Sequence, residues 1–171
     1  MTHPPNALTL ARPLIRGLIV LNALYAFAIA ALLIATWVNP KLLFEALGVA
    51  YEHLYNALRA VVLIGILAAY LTHRVLRALL AIVDSVRDGD PFIADNSRRL
   101  QAIAWWVLAG EGLRLLIGAI VYGASKAAPA LKIDIDVGFS FAPWLAVLLL
   151  FVLARVFEQG ARMRSDLEGT V

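Results

Sequence analysis

The sequence predicts an all-α membrane protein: a single domain, residues 1–171, in which four transmembrane helices form an up-down bundle with both termini in the cytoplasm. Hydrophobic residues make up 62% of the chain, well above the roughly 45–50% of soluble domains. They gather in four runs long enough to cross a bilayer. Charged residues are only 16% of the chain and cluster between these runs.

The first predicted span covers about residues 14–37 and ends at Trp37, whose amphipathic ring suits a membrane interface. The run is too long for the roughly 7–15 apolar residues of a signal peptide, so we expect a retained helix. Its notable polar side chain is Asn22. Asn22 either bonds to a neighbouring helix or is a local polar residue near the membrane surface, and we favour the second interpretation.

The second predicted span covers about residues 54–80, but its helical pattern continues further. Leucine and valine recur at helical spacing up to residue 83, and no Pro or Gly interrupts residues 66–87. A continuous helix over residues 51–86 would measure about 50 Å, which exceeds a hydrocarbon core of about 30 Å. We therefore expect its end to project from the membrane as an amphipathic extension.

The segment after this helix is the clearest loop. Gly89 and Pro91 break the helix, and Asp95, Asn96 and Ser97 are suitable N-caps for the next one. The third span then covers about residues 101–122. The following loop includes residues 133–137, where apolar and acidic residues alternate and predict a short extended segment in the second outer loop. The fourth span covers about residues 139–156 and leads into a charged tail.

The basic residues predict the orientation. Ten arginines fall on one side of the predicted membrane, against four basic residues on or near the other. Basic residues favour the cytoplasmic side, so we expect the termini and the middle loop there, in a bacterial inner membrane. The ten are Arg12, Arg16, Arg74, Arg77, Arg87, Arg98, Arg99, Arg155, Arg162 and Arg164.

Glu111 and Arg114 are charged residues inside the third predicted span, and Glu111 lies almost halfway along it. An ionised side chain at mid-bilayer costs at least about 2.5 kcal/mol on insertion scales. Their i, i+3 spacing puts them on one helical face, where they can pair. Either the pair fixes the packing of the helices, or it lines a polar cavity that binds a proton, an ion or a headgroup. The residues leave both interpretations open.

Several function classes receive no support from the sequence. The chain has no cysteine, its three histidines lack metal-ligand spacing, and no catalytic or nucleotide-binding motif is present. We therefore expect neither an enzyme, nor a metal site, nor a cofactor. The net charge of +3 reflects basic residues that flank membrane spans and contact lipid, rather than direct nucleic-acid binding.

The predicted cytoplasmic surface combines the extension of the second helix, the middle loop and the tail. Its ordinary interpretation is a basic collar against lipid headgroups. The alternative is a platform that docks a soluble partner, because apolar Phe92 and Ile93 lie between acidic residues and resemble an anchor. The candidate docking residues are Asp90, Phe92, Ile93, Asp95, Asn96, Arg162 and Arg164.

Two segments resemble a known family. Residues 88–100, DGDPFIADNSRRL, and the closing residues 156–171, VFEQGARMRSDLEGTV, resemble the middle loop and the tail of DUF2975, a family of small bacterial four-helix membrane proteins. The resemblance implies the fold and the membrane location, but no activity. Members are often encoded beside a small helix-turn-helix regulator, so the resemblance also implies a cytoplasmic DNA-binding protein as the partner.

Three functions follow as hypotheses. The leading one is a regulatory protein whose cytoplasmic face docks the regulator, with Glu111 and Arg114 as a polar switch. The second is a small oligomeric transporter or channel subunit that uses the same pair along its pathway. The third is a structural or lipid-binding membrane protein.

The orientation gives a first prediction. A reporter that is active only in the cytoplasm should be active when fused after Val171, because the arginines hold that end inside. The matched fusion within residues 123–138 should be inactive. Activity confined to the opposite pair of locations would contradict the predicted topology.

Overall fold

The computed structural model contains four long α-helices and describes residues 7–41, 54–127 and 140–168. Helix α1 spans Ala7–Val38, α2 spans Leu54–Arg87, α3 spans Ala94–Ala127 and α4 spans Phe141–Glu168. All four are long and apolar enough to cross a membrane. The prediction of an all-α chain with four such helices is confirmed. The predicted extended segment at residues 133–137 lies outside the described residues.

The helices are longer than the predicted spans, and the main extensions share one end of the bundle. Relative to those spans, α1 begins earlier, α2 ends later, α3 begins earlier and α4 ends later, each by about two turns or more. Helix α2 is continuous to Arg87, as its uninterrupted pattern predicted. We call this region, residues 10–16, 84–99 and 155–166, the charged end.

The turn between α2 and α3 differs from its prediction. Gly89 has a positive φ of 88°, and the Asp90 N–H donates to the Ser85 carbonyl at 3.1 Å, so the glycine ends α2 in the usual left-handed way. Helix α3, however, already begins at Ala94. The three predicted caps, Asp95, Asn96 and Ser97, therefore lie in its first turn instead of capping it. The side chains of Asn96 and Ser97 bond to neighbouring segments instead.

The helices pack in chain order. Extensive contacts join α1 to α2, α2 to α3 and α3 to α4, and no comparable packing joins α1 to α4 within the described ranges. The arrangement is therefore an open row with α1 and α4 at its edges. Helix α1 exposes Leu14, Leu21 and Phe27 by 63–75% of their surface, as expected for a face that contacts lipid tails.

Polar contacts join α1 to α2 at three levels. Near the charged end, Arg12 Nε lies 3.0 Å from Asp84 Oδ1. Further along, Asn22 Nδ2 donates to the Ala69 carbonyl at 2.9 Å. At the opposite end, Arg59 Nη2 donates to the carbonyl of Thr36 at 2.8 Å. The favoured interpretation of Asn22 as a local surface residue is therefore wrong.

Candidate functional site

The intramembrane pair occupies one face of α3. Arg114 Nε donates to Glu111 Oε2 at 2.8 Å, and Arg114 Nη2 donates to Glu111 Oε1 at 2.6 Å. Glu111 is buried, with 4% of its side chain exposed, whereas 36% of the Arg114 side chain is exposed. The contact is the bidentate fork that arginine and carboxylate groups form most strongly.

This geometry restricts what the pair can do. Both carboxylate oxygens of Glu111 already accept a hydrogen bond from the same guanidinium. The carboxylate is therefore neutralised within its own helix and needs no further cation. Asn22 does not extend this pair, since its side chain amide bonds to Ala69 on α2. The pair as it stands favours packing over ion binding.

The unequal burial of the two partners predicts unequal effects of their removal. Arg114→Met should destabilise the protein by about 3 kcal/mol, because it leaves a buried carboxylate without its partner. Glu111→Met should cost less, because the remaining guanidinium is one-third exposed. The double variant should recover much of the loss. Thermal unfolding in nanodiscs measures all three, and a double variant that is less stable than Arg114→Met would contradict the pairing.

The second region of interest is the loop at the charged end, which folds onto α4. The Phe92 ring centroid lies 5.3 Å from that of Phe157. Next to it, a Cβ added to Gly160 would lie only 2.7 Å from Phe92 Cδ1, so the ring rests directly on this glycine. Asp90 forms an ion pair with Arg164 from the same helix. An aromatic contact and a charge pair thus hold the loop against α4.

Two buried polar residues at the start of α3 complete this arrangement. Asn96 is fully buried, and its Nδ2 donates to Ser85 Oγ at 2.6 Å and to the Pro91 carbonyl at 2.9 Å. Arg99 Nη1 donates to its Oδ1 at 2.8 Å. The adjacent Ser97 donates from Oγ to the Ala154 carbonyl on α4 at 2.9 Å. The first turn of α3 therefore bonds to α2, to the loop and to α4.

The structure divides the candidate docking residues into two groups. Asp90, Phe92, Asn96 and Arg164 hold the loop and the helices together, and Ile93 beside them is half-buried. Asp95 and Arg162 are exposed, and among the described residues they form ion pairs along their own helices, with Arg98 and Glu158 respectively. The sequence did not single out Ser85, Phe157 or Gly160 as site residues, and it identified Ser97 only as a candidate helix cap. Three of them, Ser85, Ser97 and Gly160, are small residues that allow close contact with a neighbouring segment, whereas Phe157 carries no such signal.

An open groove lies beside the loop, between α3 and α4. It has a volume of about 490 Å³ and is lined by residues that include Arg98, Gln101, Glu158 and Arg162. Glu158 lies between Arg155, at 2.9 Å, and Arg162, at 2.5 Å. The hydrogen bond from Arg155, aided by the positive charge of both arginines, lowers the pKa of Glu158 and keeps it ionised. The groove therefore presents fixed charges of both signs.

A family model described as a protein of unknown function, DUF2975, matches residues 13–171. The chain belongs to DUF2975. Comparisons with curated proteins and with solved structures found no match. The matched region of this DUF2975 protein includes the loop, the paired residues of α3 and the whole of α4. Within this DUF2975 chain, the loop segment that carries the resemblance is the one that joins α2, α3 and α4.

The contact between Phe92 and Gly160 gives a further prediction. Gly160→Ala should displace the Phe92 ring, because its Cβ needs the space that Phe92 Cδ1 occupies. Proteolysis within residues 88–93 should then accelerate, as the loop leaves α4.

Gly17→Ala is the matched control, since nothing lies within 4 Å of its added Cβ. Both changes raise helix propensity by about 1 kcal/mol, so any difference between them reports the lost contact. Equal protease resistance in the two variants would show that the loop does not depend on this contact.

Proposed function

We propose that this DUF2975 protein is a regulatory interaction protein of the bacterial inner membrane, and that its charged end docks a small cytoplasmic helix-turn-helix regulator. The observation that carries the proposal is the groove between α3 and α4, which combines a preformed shape with exposed charges. Arg98 and Arg162 line this groove from opposite helices. A soluble partner with complementary charges could pair with both.

The rigidity of the charged end supports docking. The loop is held by the Asp90–Arg164 pair and the Phe92–Phe157 contact, and the first turn of α3 is held by buried hydrogen bonds. A surface that is already ordered loses little conformational entropy when a partner binds. Phe92 is 44% exposed, so its ring offers an apolar contact beside the groove.

The distribution of arginines supports a cytoplasmic location for this end. All ten residues of the basic set belong to the charged end or to the adjacent part of α2. Positive charge near span ends favours the cytoplasmic side of the inner membrane. A cytoplasmic DNA-binding protein could reach only that face.

The geometry supports docking better than transport. In the Glu111–Arg114 pair, which transport would use, both carboxylate oxygens already accept a hydrogen bond from the guanidinium. The open row of helices places its large exposed apolar residues toward lipid, without enclosing a central pathway among the described residues. Helix α4 instead offers a route for a signal, because it is continuous from the apolar region to Arg162. A tilt of α4 would move one wall of the groove relative to α3.

The proposal predicts a difference between two arginines that share one partner. Arg155 and Arg162 both pair with Glu158, but only Arg162 lines the groove. Arg162→Ala should weaken binding of the helix-turn-helix protein by about tenfold, about 1.4 kcal/mol. Arg155→Ala should leave it unchanged. Both are exposed surface pairs, so neither variant should lose more than about 1 kcal/mol of stability.

The measurement begins with gentle affinity purification from native membranes and mass spectrometry of what remains bound. The recovered regulator is then titrated against each variant in nanodiscs. Recovery of this chain with lipid alone would remove the proposal. Equal weakening by Arg155→Ala and Arg162→Ala would reject the groove as the docking site.

A further inference from the structure

A second groove lies between α2 and α3, away from the loop and from α4. Its volume is about 480 Å³, and its lining residues are Tyr70, His73, Arg74, Arg77, Ala78 and Trp106. Three of the six are basic and two are amphipathic aromatics. None of the described residues that line it is acidic.

The arginines of this groove differ from most others near the charged end. Arg12, Arg98, Arg155, Arg162 and Arg164 each pair with a carboxylate. Arg74 and Arg77 form no ion pair with any residue in the described part of the chain. No carboxylate among the residues that the structure describes therefore compensates these two positive charges, which lie about one turn apart on the same face of α2.

The aromatic residues orient one of these charges. The Arg74 guanidinium lies over the Trp106 ring, with Cζ 4.8 Å from the centroid. Its Nη1 atom lies 3.5 Å from the Tyr70 hydroxyl. A guanidinium that stacks on an aromatic ring keeps the N–H groups at its edge available for an anion. Arg77 and His73 add further donors to the same groove.

The face of α2 that carries the groove changes character along its length. Leu63, Leu67 and Tyr70 precede Arg74 at helical spacing, and these three apolar or aromatic side chains are exposed by 54%, 48% and 54%. Along α2 toward its C-terminal end, this face is therefore first apolar, then aromatic and finally cationic. This order matches the acyl chain, the interface and the phosphate of one phospholipid molecule.

We propose that the groove between α2 and α3 is a binding site for the phosphate headgroup of an anionic phospholipid. Arg74 and Arg77 contact the phosphate, and the leucine face of α2 contacts the acyl chains. The leucines favour a lipid over free phosphate, because a free anion would use only the cationic part of this surface. The site is separate from the groove of α3 and α4, so it does not depend on the docking of a partner.

The test uses the full chain in detergent micelles and native mass spectrometry of retained lipid. The probes are phosphatidylglycerol, zwitterionic phosphatidylcholine and sodium phosphate. We expect selective retention of phosphatidylglycerol. Arg74→Gln combined with Arg77→Gln should weaken it by about thirty-fold, because each basic residue near an anionic lipid surface contributes about fivefold.

A charge-matched control separates a site from general attraction. Arg16→Gln combined with Arg87→Gln removes the same charge near the same end, from two exposed residues that do not line this groove. This control should retain phosphatidylglycerol as the parent chain does. Trp106→Leu, which keeps every charge but removes the ring beneath Arg74, should also weaken retention.

Three results would overturn the proposal. Equal loss in the two double variants would show a diffuse basic collar. Equal retention of phosphatidylcholine would show that the site does not select a headgroup with a net negative charge. Displacement of phosphatidylglycerol by sodium phosphate at comparable concentration would show that the groove binds free anions without using the acyl chains.

Discussion

Two adjacent buried side chains, Asn96 and Ser97, form the joint on which the arrangement of α2, α3 and α4 depends. Asn96 bonds to Ser85 at the end of α2 and to the Pro91 carbonyl in the loop, while Ser97 bonds to the Ala154 carbonyl on α4. A buried polar group without a partner costs about 1–3 kcal/mol. These residues are therefore stable in their buried positions only when all three neighbours are in place, so the joint specifies one packing of the charged end.

Helix α1, at the other edge of the row, is held in place by a different set of contacts. Lipid tails are as apolar as leucine, so α1 gains little from burying its leucines against α2. Its position is set by polar contacts at three levels, which involve Arg12, Asn22 and the Thr36 carbonyl. Contacts so spaced fix both the rotation and the axial position of α1. Arg59 on α2 makes the third contact, to the Thr36 carbonyl. Its Cζ also lies 4.3 Å from the centroid of the Trp37 ring, so Arg59 anchors the C-terminal end of α1.

The charged side chains of this protein fall into two groups, those that form ion pairs and those that do not. Glu111 and Arg114 neutralise each other inside the bundle, as the cost of a lone charge there requires. At the charged end, Asp90 and Glu158 pair with arginines from α4 and help to build a defined surface. The arginines of the groove between α2 and α3 have no such partner in the described residues. Paired charges thus shape the protein, and uncompensated ones remain available to the surroundings.

The sequence by itself determined the class of fold, the four helices, the continuation of α2 beyond its apolar core and the pairing of Glu111 with Arg114. Each of these depends on local periodicity or on i, i+3 spacing, which a single chain segment carries. Only the tertiary structure decided that Asn22 bonds to α2, that Asn96 is buried and that Phe92 rests on Gly160. The contacts of Asn22 and Phe92 join residues that are far apart in the chain, and Asn96 is buried because the loop and the ends of two helices meet around it. They depend on the order in which the helices pack, and in a membrane no hydrophobic pattern distinguishes a face that meets lipid from one that meets another helix.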